Sequence, residues 1–236
     1  MLSVTCFNHR FTLAWRVVFF ALSVVALLLS LGFWQLNRAK EKQLMLTAEA
    51  REQQLPPAAW QGGIPYPKQY QSIRVAGQYL APVFLLDNQF YQHQTGYNVL
   101  SPYQLANGEV LLVDRGWLAA DRSHLPALPE LHSVPSISGQ AYFPSSKTWV
   151  LGQDFEIKSD GITIVERIDT KLISNLLHKS VYPFIIRLNK EEANGFIREW
   201  PVVTMSPQRH YAYALQWFAL AFIALAAFIG SNLKKN

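Results

Sequence analysis

The sequence predicts a membrane protein in which two transmembrane α-helices flank one α+β, mostly antiparallel β, extracytoplasmic domain, built as a sheet or a partly closed barrel. The chain of 236 residues has an uncharged apolar run near its start, Val17–Trp34, and another near its end, Tyr211–Gly230. Each is about as long as the roughly 20 residues that a helix needs to cross a bilayer. Between the runs, short β-like segments alternate with turn residues, which is typical of an antiparallel sheet or barrel.

The two apolar runs divide the chain into five parts. We expect a cytoplasmic tail over residues 1–12, a first transmembrane helix over 13–34, an extracytoplasmic domain over 35–206, a second transmembrane helix over 207–230 and a cytoplasmic tail over 231–236. Because the number of spans is even, both tails must lie on the same side of the membrane.

The first run also has features of a cleaved signal peptide. Arg10 and Arg16 would form its basic region, and Ser30-Leu31-Gly32 loosely resembles a cleavage site. However, the run is longer than the usual core of about 7–15 residues. Phe33 and Trp34 follow at once, and Trp is typical of a membrane interface. We therefore interpret the run as an uncleaved anchor.

The charge distribution argues against a nucleic-acid partner. The formal net charge is +5, but Arg10, Arg16, Lys234 and Lys235 lie in or beside the tails, which hold no acidic residue. The other 17 of the 21 basic residues and all 16 acidic residues lie within residues 35–209, which are nearly neutral. Basic tails favour a cytoplasmic position for both termini under the positive-inside rule.

Cysteine usage and missing motifs limit the chemistry. The single cysteine, Cys6, rules out an internal disulfide, a cysteine-based zinc site and a covalent c-type haem, which needs C-x-x-C-H. The sequence also lacks the phosphate-binding loop, the dinucleotide-binding glycine motif, H-E-x-x-H and G-x-S-x-G. We expect no enzymatic activity.

The central part reads as a helical extension followed by strands. Helix formers dominate Gln35–Gln53, which should continue the first helix, and Thr170–His178 has the apolar spacing of a short helix. Asn107-Gly108 predicts a hairpin with a type I′ turn. The predicted strands are Tyr70–Leu80, Phe84–Phe90, Tyr97–Leu105, Val110–Leu118, Ser136–Phe143, Gly161–Ile168 and Tyr182–Leu188.

His210 is the most informative single residue. It falls in the first turn of the second span, which Ser206-Pro207 should begin, and helical spacing puts Tyr213 and Trp217 on its face. Such an imidazole could ligate haem iron while the adjacent Arg209 pairs with a propionate. An interfacial histidine between aromatic membrane anchors explains the same pattern, and spacing alone favours this second interpretation.

Other polar residues are better explained by structural roles. Asp114-Arg115-Gly116-Trp117 closes an apolar strand and could be a binding edge, but an Asp114–Arg115 pair beside a packed Trp117 is the favoured interpretation. Four histidines could ligate copper or haem, although solvated or hydrogen-bonded side chains are more common in such loops and helix ends. They are His93, His124, His132 and His178.

Five sequence motifs follow one another along the chain. They are Gly32-Phe33-Trp34-Gln35-Leu36-Asn37-Arg38; Gly77-Gln78-Tyr79 with Leu86-Asp87-Asn88; Gly96-Tyr97 with Leu100-Ser101-Pro102; Gly108 through Val113-Asp114-Arg115-Gly116-Trp117; and Pro207, His210, Tyr213-Ala214 with Gln216-Trp217-Phe218. Together they resemble the surfeit locus protein 1 family, which assists assembly of haem–copper cytochrome oxidases. The resemblance covers nearly the whole chain, and Ser101 and Asp114 are mild departures from the family pattern.

The resemblance implies a function and a set of partners. A family member would bind haem a and deliver it to oxidase subunit I or retain it there, with haem a synthase and membrane lipid as further partners. The family's haem-ligating histidine maps onto His210, which makes His210 the candidate iron ligand and Arg209, Tyr213 and Trp217 candidate cofactor-binding neighbours. The alternative is a non-catalytic scaffold that stabilises subunit I without binding haem.

The resemblance also implies a location. Both termini would lie inside, with the domain in the periplasm or the intermembrane space. Because the short N-terminal tail leaves little room for a mitochondrial transit peptide, we expect a bacterial inner membrane rather than a mitochondrial one.

Overall fold

The computed structural model describes residues 2–6, 9–13, 15–120, 126–145, 155–158 and 161–235. Along the chain the elements are β1 (Leu2–Cys6), β2 (His9–Leu13), α1 (Trp15–Gln53), β3 (Ala58–Ala59), β4 (Ser72–Tyr79), β5 (Val83–Tyr91), β6 (Gln94–Leu105), β7 (Val110–Ala119), β8 (Ser136–Tyr142), β9 (Phe155–Ile157), β10 (Ile162–Val165), α2 (Thr170–Leu177), β11 (Val181–Leu188), α3 (Pro207–Asn232) and β12 (Leu233–Lys235). They form two compact units. One comprises Met1–Thr47 with Val202–Asn236, and the other comprises Ala48–Pro201.

The long helices α1 and α3 carry the two apolar runs. Their most apolar stretches have mean hydropathies of 2.5 and 2.0, yet only 6% and 11% of those stretches are buried. A helix that is apolar all round and is not covered by protein needs lipid around it. The chain is therefore a membrane protein, and its two apolar helices flank the sheet domain in the sequence.

The bounds of both helices follow their sequence signals. Helix α1 runs without a break from the apolar run through Gln53, which confirms the predicted extension. The Ser30 hydroxyl donates to the carbonyl oxygen of Ala26 within the helix, at 2.8 Å, so the signal-peptide-like site lies inside a helix. Helix α3 begins at Pro207, and the backbone N–H of Arg209 donates to the Ser206 carbonyl at 3.1 Å.

Small residues allow α1 and α3 to approach each other closely in the first unit. A Cβ atom built on Gly32 would lie 2.4 Å from the Phe218 ring, and the Phe33 and Phe218 rings meet edge to face with centroids 5.3 Å apart. Small residues at such positions are the usual means of packing helices within a membrane. The buried residues of the two helices are Gly32, Ala39, Pro207, His210, Ala214 and Ala221. The backbone of this unit also forms a small antiparallel sheet in the order β1-β2-β12.

The second unit is built on a partly closed β-barrel. Its strand order is β3-β4-β8-β11-β7-β6-β5-β10-β9, and an additional pairing between β4 and β6 closes a ring of five strands. Among the described residues of this unit, β3–β4, β5–β10 and β7–β11 pair in parallel, while the other six pairings are antiparallel. The predicted α+β class and mostly antiparallel barrel are confirmed.

Both faces of the central strands are buried. Val113 and Ile186 belong to one apolar cluster, whereas their chain neighbours Leu112 and Ile185 belong to a second cluster on the other face. Helix α2 covers the second cluster and inserts Ile173, which is fully buried. This double burial explains why β7 and β11 read as nearly continuous apolar runs.

The turn predicted at Asn107-Gly108 differs in type from the prediction. The hairpin at Asn107-Gly108 is confirmed, but the prediction that its turn is of type I′ is wrong. Gly108 has φ +83°, whereas Asn107 keeps a negative φ, and its Oδ1 atom accepts from the Glu109 N–H at 3.1 Å. Gly108 N–H donates to the Leu105 carbonyl at 3.0 Å, as in a type I turn followed by a left-handed glycine. The hairpin between β5 and β6 instead has positive φ at both central residues, Gln92-His93.

Candidate functional site

The first unit buries a histidine at the beginning of α3. His210 lies in the first turn of the helix, and 9% of its surface is exposed. Pro207 and Ala214, which helical spacing places on the same side, are also buried. A buried imidazole requires a hydrogen-bond partner, because leaving its polar atoms unpaired costs about 1–3 kcal/mol.

Gln35 of α1 supplies that partner. The Nδ1 atom of His210 lies 2.7 Å from the Oε1 atom of Gln35. Gln35 is half-buried and follows Trp34 at the end of the first apolar run. The contact therefore joins the two long helices through their polar side chains at the end of an apolar stretch.

This hydrogen bond decides which ring nitrogen is free. The Oε1 atom of Gln35 can only accept, so the contact places the proton on Nδ1. In a neutral imidazole the lone pair then resides on Nε2. No hydrogen bond reaches Nε2 from the part of the chain that the structure describes. The arrangement matches that of metal-binding histidines, whose second ring nitrogen usually donates to an oxygen atom.

The predicted neighbours of His210 differ in their exposure. Arg209 and Tyr213 are exposed, Tyr213 to 43%, and Trp217 is half-buried. The Arg209 side chain makes no hydrogen bond or ion pair with any described residue. Its guanidinium is therefore available to an anionic group, and the roles of these three residues stay a prediction.

The other predicted histidines are not gathered into a site. His93 lies in the β5–β6 turn, His132 in an exposed loop and His178 at the left-handed C-cap of α2. His124 lies outside the described residues. Among the residues that the structure describes, no three His, Cys, Asp or Glu side chains converge as a metal-binding group.

Asp114 and Arg115 do not pair, so that part of the structural interpretation is wrong. They are neighbours in β7, and alternate residues of a strand enter opposite faces. Asp114 is 2% exposed and accepts from Asn98 Nδ2 at 2.9 Å and from the Gly116 N–H at 3.2 Å. Burial raises the pKa of its carboxyl group to about 6, although these two hydrogen bonds and the nearby Arg187 guanidinium act in the opposite direction.

Arg115 is buried on the other face with neutral partners. Its Nε atom donates to the Asn194 carbonyl at 2.6 Å, and one terminal nitrogen donates to Ser101 Oγ at 3.3 Å. The guanidinium also lies over the rings of Phe196 and Tyr79, at 4.9 and 5.9 Å from their centroids. Burial raises the pKa of Tyr79 to about 12, so its hydroxyl stays neutral. Arg115 is thus a structural cation held by carbonyl, hydroxyl and π-face contacts.

The packed tryptophan of this block is confirmed. Trp117 is 7% exposed, donates from Nε1 to the Gln89 carbonyl at 3.2 Å and packs against the Tyr91 ring. Gly116 has φ +113°, and a Cβ atom there would lie 2.5 Å from the Ile197 carbonyl oxygen. Only glycine fits this close approach, which supports the structural interpretation of the block.

The sequence did not nominate Gln35, Asn98 or Asn194 for a role. A polar residue directly after an apolar run was a visible signal for Gln35. Its partner is 175 positions away in the chain, and no local periodicity reports such a contact. Asn194, with φ +64°, supplies the carbonyl for Arg115 and exchanges two hydrogen bonds with the His132 backbone.

Fold and site together define a class of membrane protein. In this class one barrel domain lies in the sequence between two apolar helices, and a buried histidine lies in the first turn of the second helix. The comparison with known proteins gives the family. A profile of the SURF1 family matches residues 22–222, and the chain belongs to that family, which is the surfeit locus protein 1 family that its motifs resemble.

Individual relatives agree with this assignment. The chain is 27% identical over 212 residues to a SURF1-like protein of Rickettsia conorii, covering 86% of this chain and 85% of the relative. It is 24% identical over 221 residues to a SURF1-like protein of Rickettsia prowazekii, covering 91% and 88%. An uncharacterised SURF1-like protein of Mycobacterium bovis is 26% identical over 158 residues, covering 66% and 57%.

Proposed function

We propose that this chain is a non-enzymatic assembly factor for haem–copper cytochrome oxidase, which binds haem a and aids its insertion or retention in subunit I. Membership of the SURF1 family supports the assembly role. The observation that carries haem binding is the free Nε2 atom of His210, oriented by the hydrogen bond between Nδ1 and Gln35.

The residues present fit a haem group. When bound, haem a supplies a redox-active iron in a porphyrin that carries propionate groups. His210 offers one neutral nitrogen ligand, and Arg209 offers an exposed cation for a propionate. Tyr213 and Trp217 follow at helical spacing and offer aromatic surface. A single protein ligand holds the iron less firmly than two would, which suits a protein that must hand its cargo on.

The location follows from the same proposal. The chain resides in a bacterial inner membrane with both termini in the cytoplasm and the barrel domain in the periplasm. Basic residues in the two tails support this orientation. Subunit I is the receiving partner, haem a synthase is the source of the cofactor, and lipid surrounds the two long helices.

Purification from a host that makes haem a tests the site. We expect wild-type protein to carry haem a in its optical spectrum and His210→Ala to lose it. His132→Ala is the matched control, because the His132 side chain is not needed for its two hydrogen bonds. The backbone N–H and carbonyl of exposed His132 make both bonds to the Asn194 side chain. Equal haem a content in wild type and His210→Ala would remove His210 from the ligand role.

The second candidate function is a scaffold that stabilises subunit I without haem. Its support is the exposed aromatic surface of the barrel unit, where Phe90, 70% exposed, and Trp200 line an open groove of about 720 Å³. Under this alternative, haem-free protein would still crosslink to subunit I, and His210→Ala would crosslink as well as wild type. A crosslink that requires bound haem would exclude it.

A further inference from the structure

Gln35 is the one described side chain that holds the candidate iron ligand. Its Oε1 atom is 2.7 Å from His210 Nδ1, which is the distance of a strong hydrogen bond. The residue lies on α1, whereas His210 lies on α3, so the imidazole is fixed by the helix to which it does not belong.

The bond selects one of two tautomers. Neutral imidazole in water favours a proton on Nε2, which would leave that nitrogen without a lone pair for a metal. An oxygen acceptor beside Nδ1 reverses this preference, because only a proton on Nδ1 can make the hydrogen bond, whereas in the other tautomer two lone pairs would face each other. The selected tautomer presents the Nε2 lone pair without any proton having to leave.

We infer that Gln35 is a positioning residue for the proposed haem site: by accepting a hydrogen bond from the Nδ1–H of His210, it fixes the ring orientation and keeps Nε2 available as the iron ligand. This inference rests on the proposed function for its purpose. The tautomer itself is a property of the haem-free chain, so it can be measured independently.

The geometry also predicts how substitutions at this position differ. Gln35→Leu has a similar size but no acceptor. Gln35→Glu keeps an acceptor and adds charge, which gives the imidazole more anionic character and makes it a stronger donor to iron. Gln216→Leu is the matched control, because Gln216 is an exposed amide on α3 with no partner among the described residues.

The first test uses full-length protein in detergent micelles, with ¹⁵N-labelled histidine, from a host that lacks haem a. ¹⁵N shifts separate protonated from unprotonated ring nitrogens, and the signals lost in His210→Ala assign the residue. We expect the proton on Nδ1 in wild type, Gln35→Glu and Gln216→Leu, and on Nε2 in Gln35→Leu. A proton on Nε2 in wild type, or an unchanged tautomer in Gln35→Leu, would overturn the inference.

The second test uses the same variants from a host that makes haem a. Loss of an outer hydrogen-bond partner typically lowers affinity for the metal by about 10–100-fold. We expect that loss in haem a affinity for Gln35→Leu and none for Gln216→Leu. Gln35→Glu should retain haem and shift the iron to a lower reduction potential. If Gln35→Leu binds haem a as tightly as wild type, the positioning role is wrong.

The two tests distinguish a failure of the proposed function from a failure of the inference about Gln35. Wild type that carries no haem a contradicts the proposed function, while the ¹⁵N measurement on haem-free protein still decides whether Gln35 fixes the tautomer. If Gln35→Leu kept the proton on Nδ1 and bound haem a as tightly as wild type, the inference would be contradicted and the proposed function would stay intact.

Discussion

Asp114 shows how a single residue departs from the simplest expectation. A carboxylate next to an arginine in the sequence suggests an ion pair, but in a strand the two side chains point to opposite faces. Asp114 is left in an apolar surrounding with Asn98 and a backbone N–H as its nearest donors. Burial therefore dominates and raises its pKa to about 6 from the ordinary 3.8.

The raised pKa predicts a pH dependence of stability. The folded chain keeps the Asp114 proton up to about pH 6, whereas the unfolded chain releases it near pH 4. The free energy of unfolding should therefore fall by up to about 3 kcal/mol as the pH rises from about 4 to about 6, and level off above.

Denaturant unfolding of the intact protein at several pH values measures this effect. The difference between wild type and Asp114→Asn isolates it, because the amide does not titrate. Glu130→Gln, in an exposed loop, should reproduce the wild-type profile. Parallel profiles for wild type and Asp114→Asn between pH 4 and pH 6 would contradict the burial argument.

At the residue scale, only part of the candidate site could be predicted from the sequence. Helical spacing grouped His210 with Arg209, Tyr213 and Trp217 but favoured an interfacial histidine, and only the family resemblance made His210 the candidate iron ligand. The Gln35 contact was invisible, since it depends on how α1 and α3 approach each other. The preferred ring nitrogen of His210 could be stated only after that contact was seen.

At the element scale, the contact between α1 and α3 depends on a small residue. Gly32→Ala would place a methyl group 2.4 Å from the Phe218 ring, which must shift. We expect a destabilisation of about 1–3 kcal/mol, which is typical of overpacking, seen as a lower unfolding midpoint in detergent. Gly230→Ala is the control, because nothing lies within 4 Å of its Cβ position. Equal midpoints for both variants would mean that Gly32 does not set the helix contact.

The end of β7 contains a second requirement for glycine. Gly116→Ala combines a strained φ of +113° with a Cβ atom 2.5 Å from a backbone carbonyl. Gly108→Ala has comparable strain, at φ +83°, but open space around its Cβ position. We expect urea unfolding to show a loss of about 1–3 kcal/mol for Gly108→Ala from strain alone, and a clearly larger loss for Gly116→Ala. Similar losses would refute the close-approach argument.

Most strands were predictable because turn residues and apolar runs mark them locally. The short strands β3 and β9 were not predicted, since two or three residues carry no period. Strands β1, β2 and β12, in or beside the segments expected to be tails, were not predicted either. The type I′ turn was assigned to Asn107-Gly108 on propensity. The Oδ1 atom of Asn107 instead accepts from the backbone N–H of Glu109 two residues along. Gln92-His93 adopts positive φ because the flanking strands leave a two-residue turn.

At the scale of the whole molecule, the closure of the barrel could not be predicted from local sequence patterns. Closure depends on the pairing of Gly77–Tyr79 with Tyr103–Leu105, which joins distant strands. The alternation of β-like segments with turns was enough to predict an α+β, mostly antiparallel domain. The two apolar helices were predictable from length and hydropathy alone, because the bilayer sets their size.

The proposed orientation makes a prediction that the native cysteine can test. Cys6 lies before the first span and should resist a membrane-impermeant maleimide in intact cells. In a Cys6→Ser background, Lys179→Cys places a thiol in an exposed turn of the barrel unit and should react readily. Permeabilised cells, in which both thiols react, provide the control. The reverse labelling pattern would place the domain in the cytoplasm and contradict the proposed location.

Under the proposed function, this chain aids the insertion or retention of haem a in oxidase subunit I through His210. The most direct measurement is the haem a content of subunit I isolated from a strain that lacks the chain, then from the same strain supplied with wild type or His210→Ala. We predict depleted haem a without the chain, restored by wild type and not by His210→Ala. A full haem a complement in the absence of the chain, or full restoration by His210→Ala, would contradict the account.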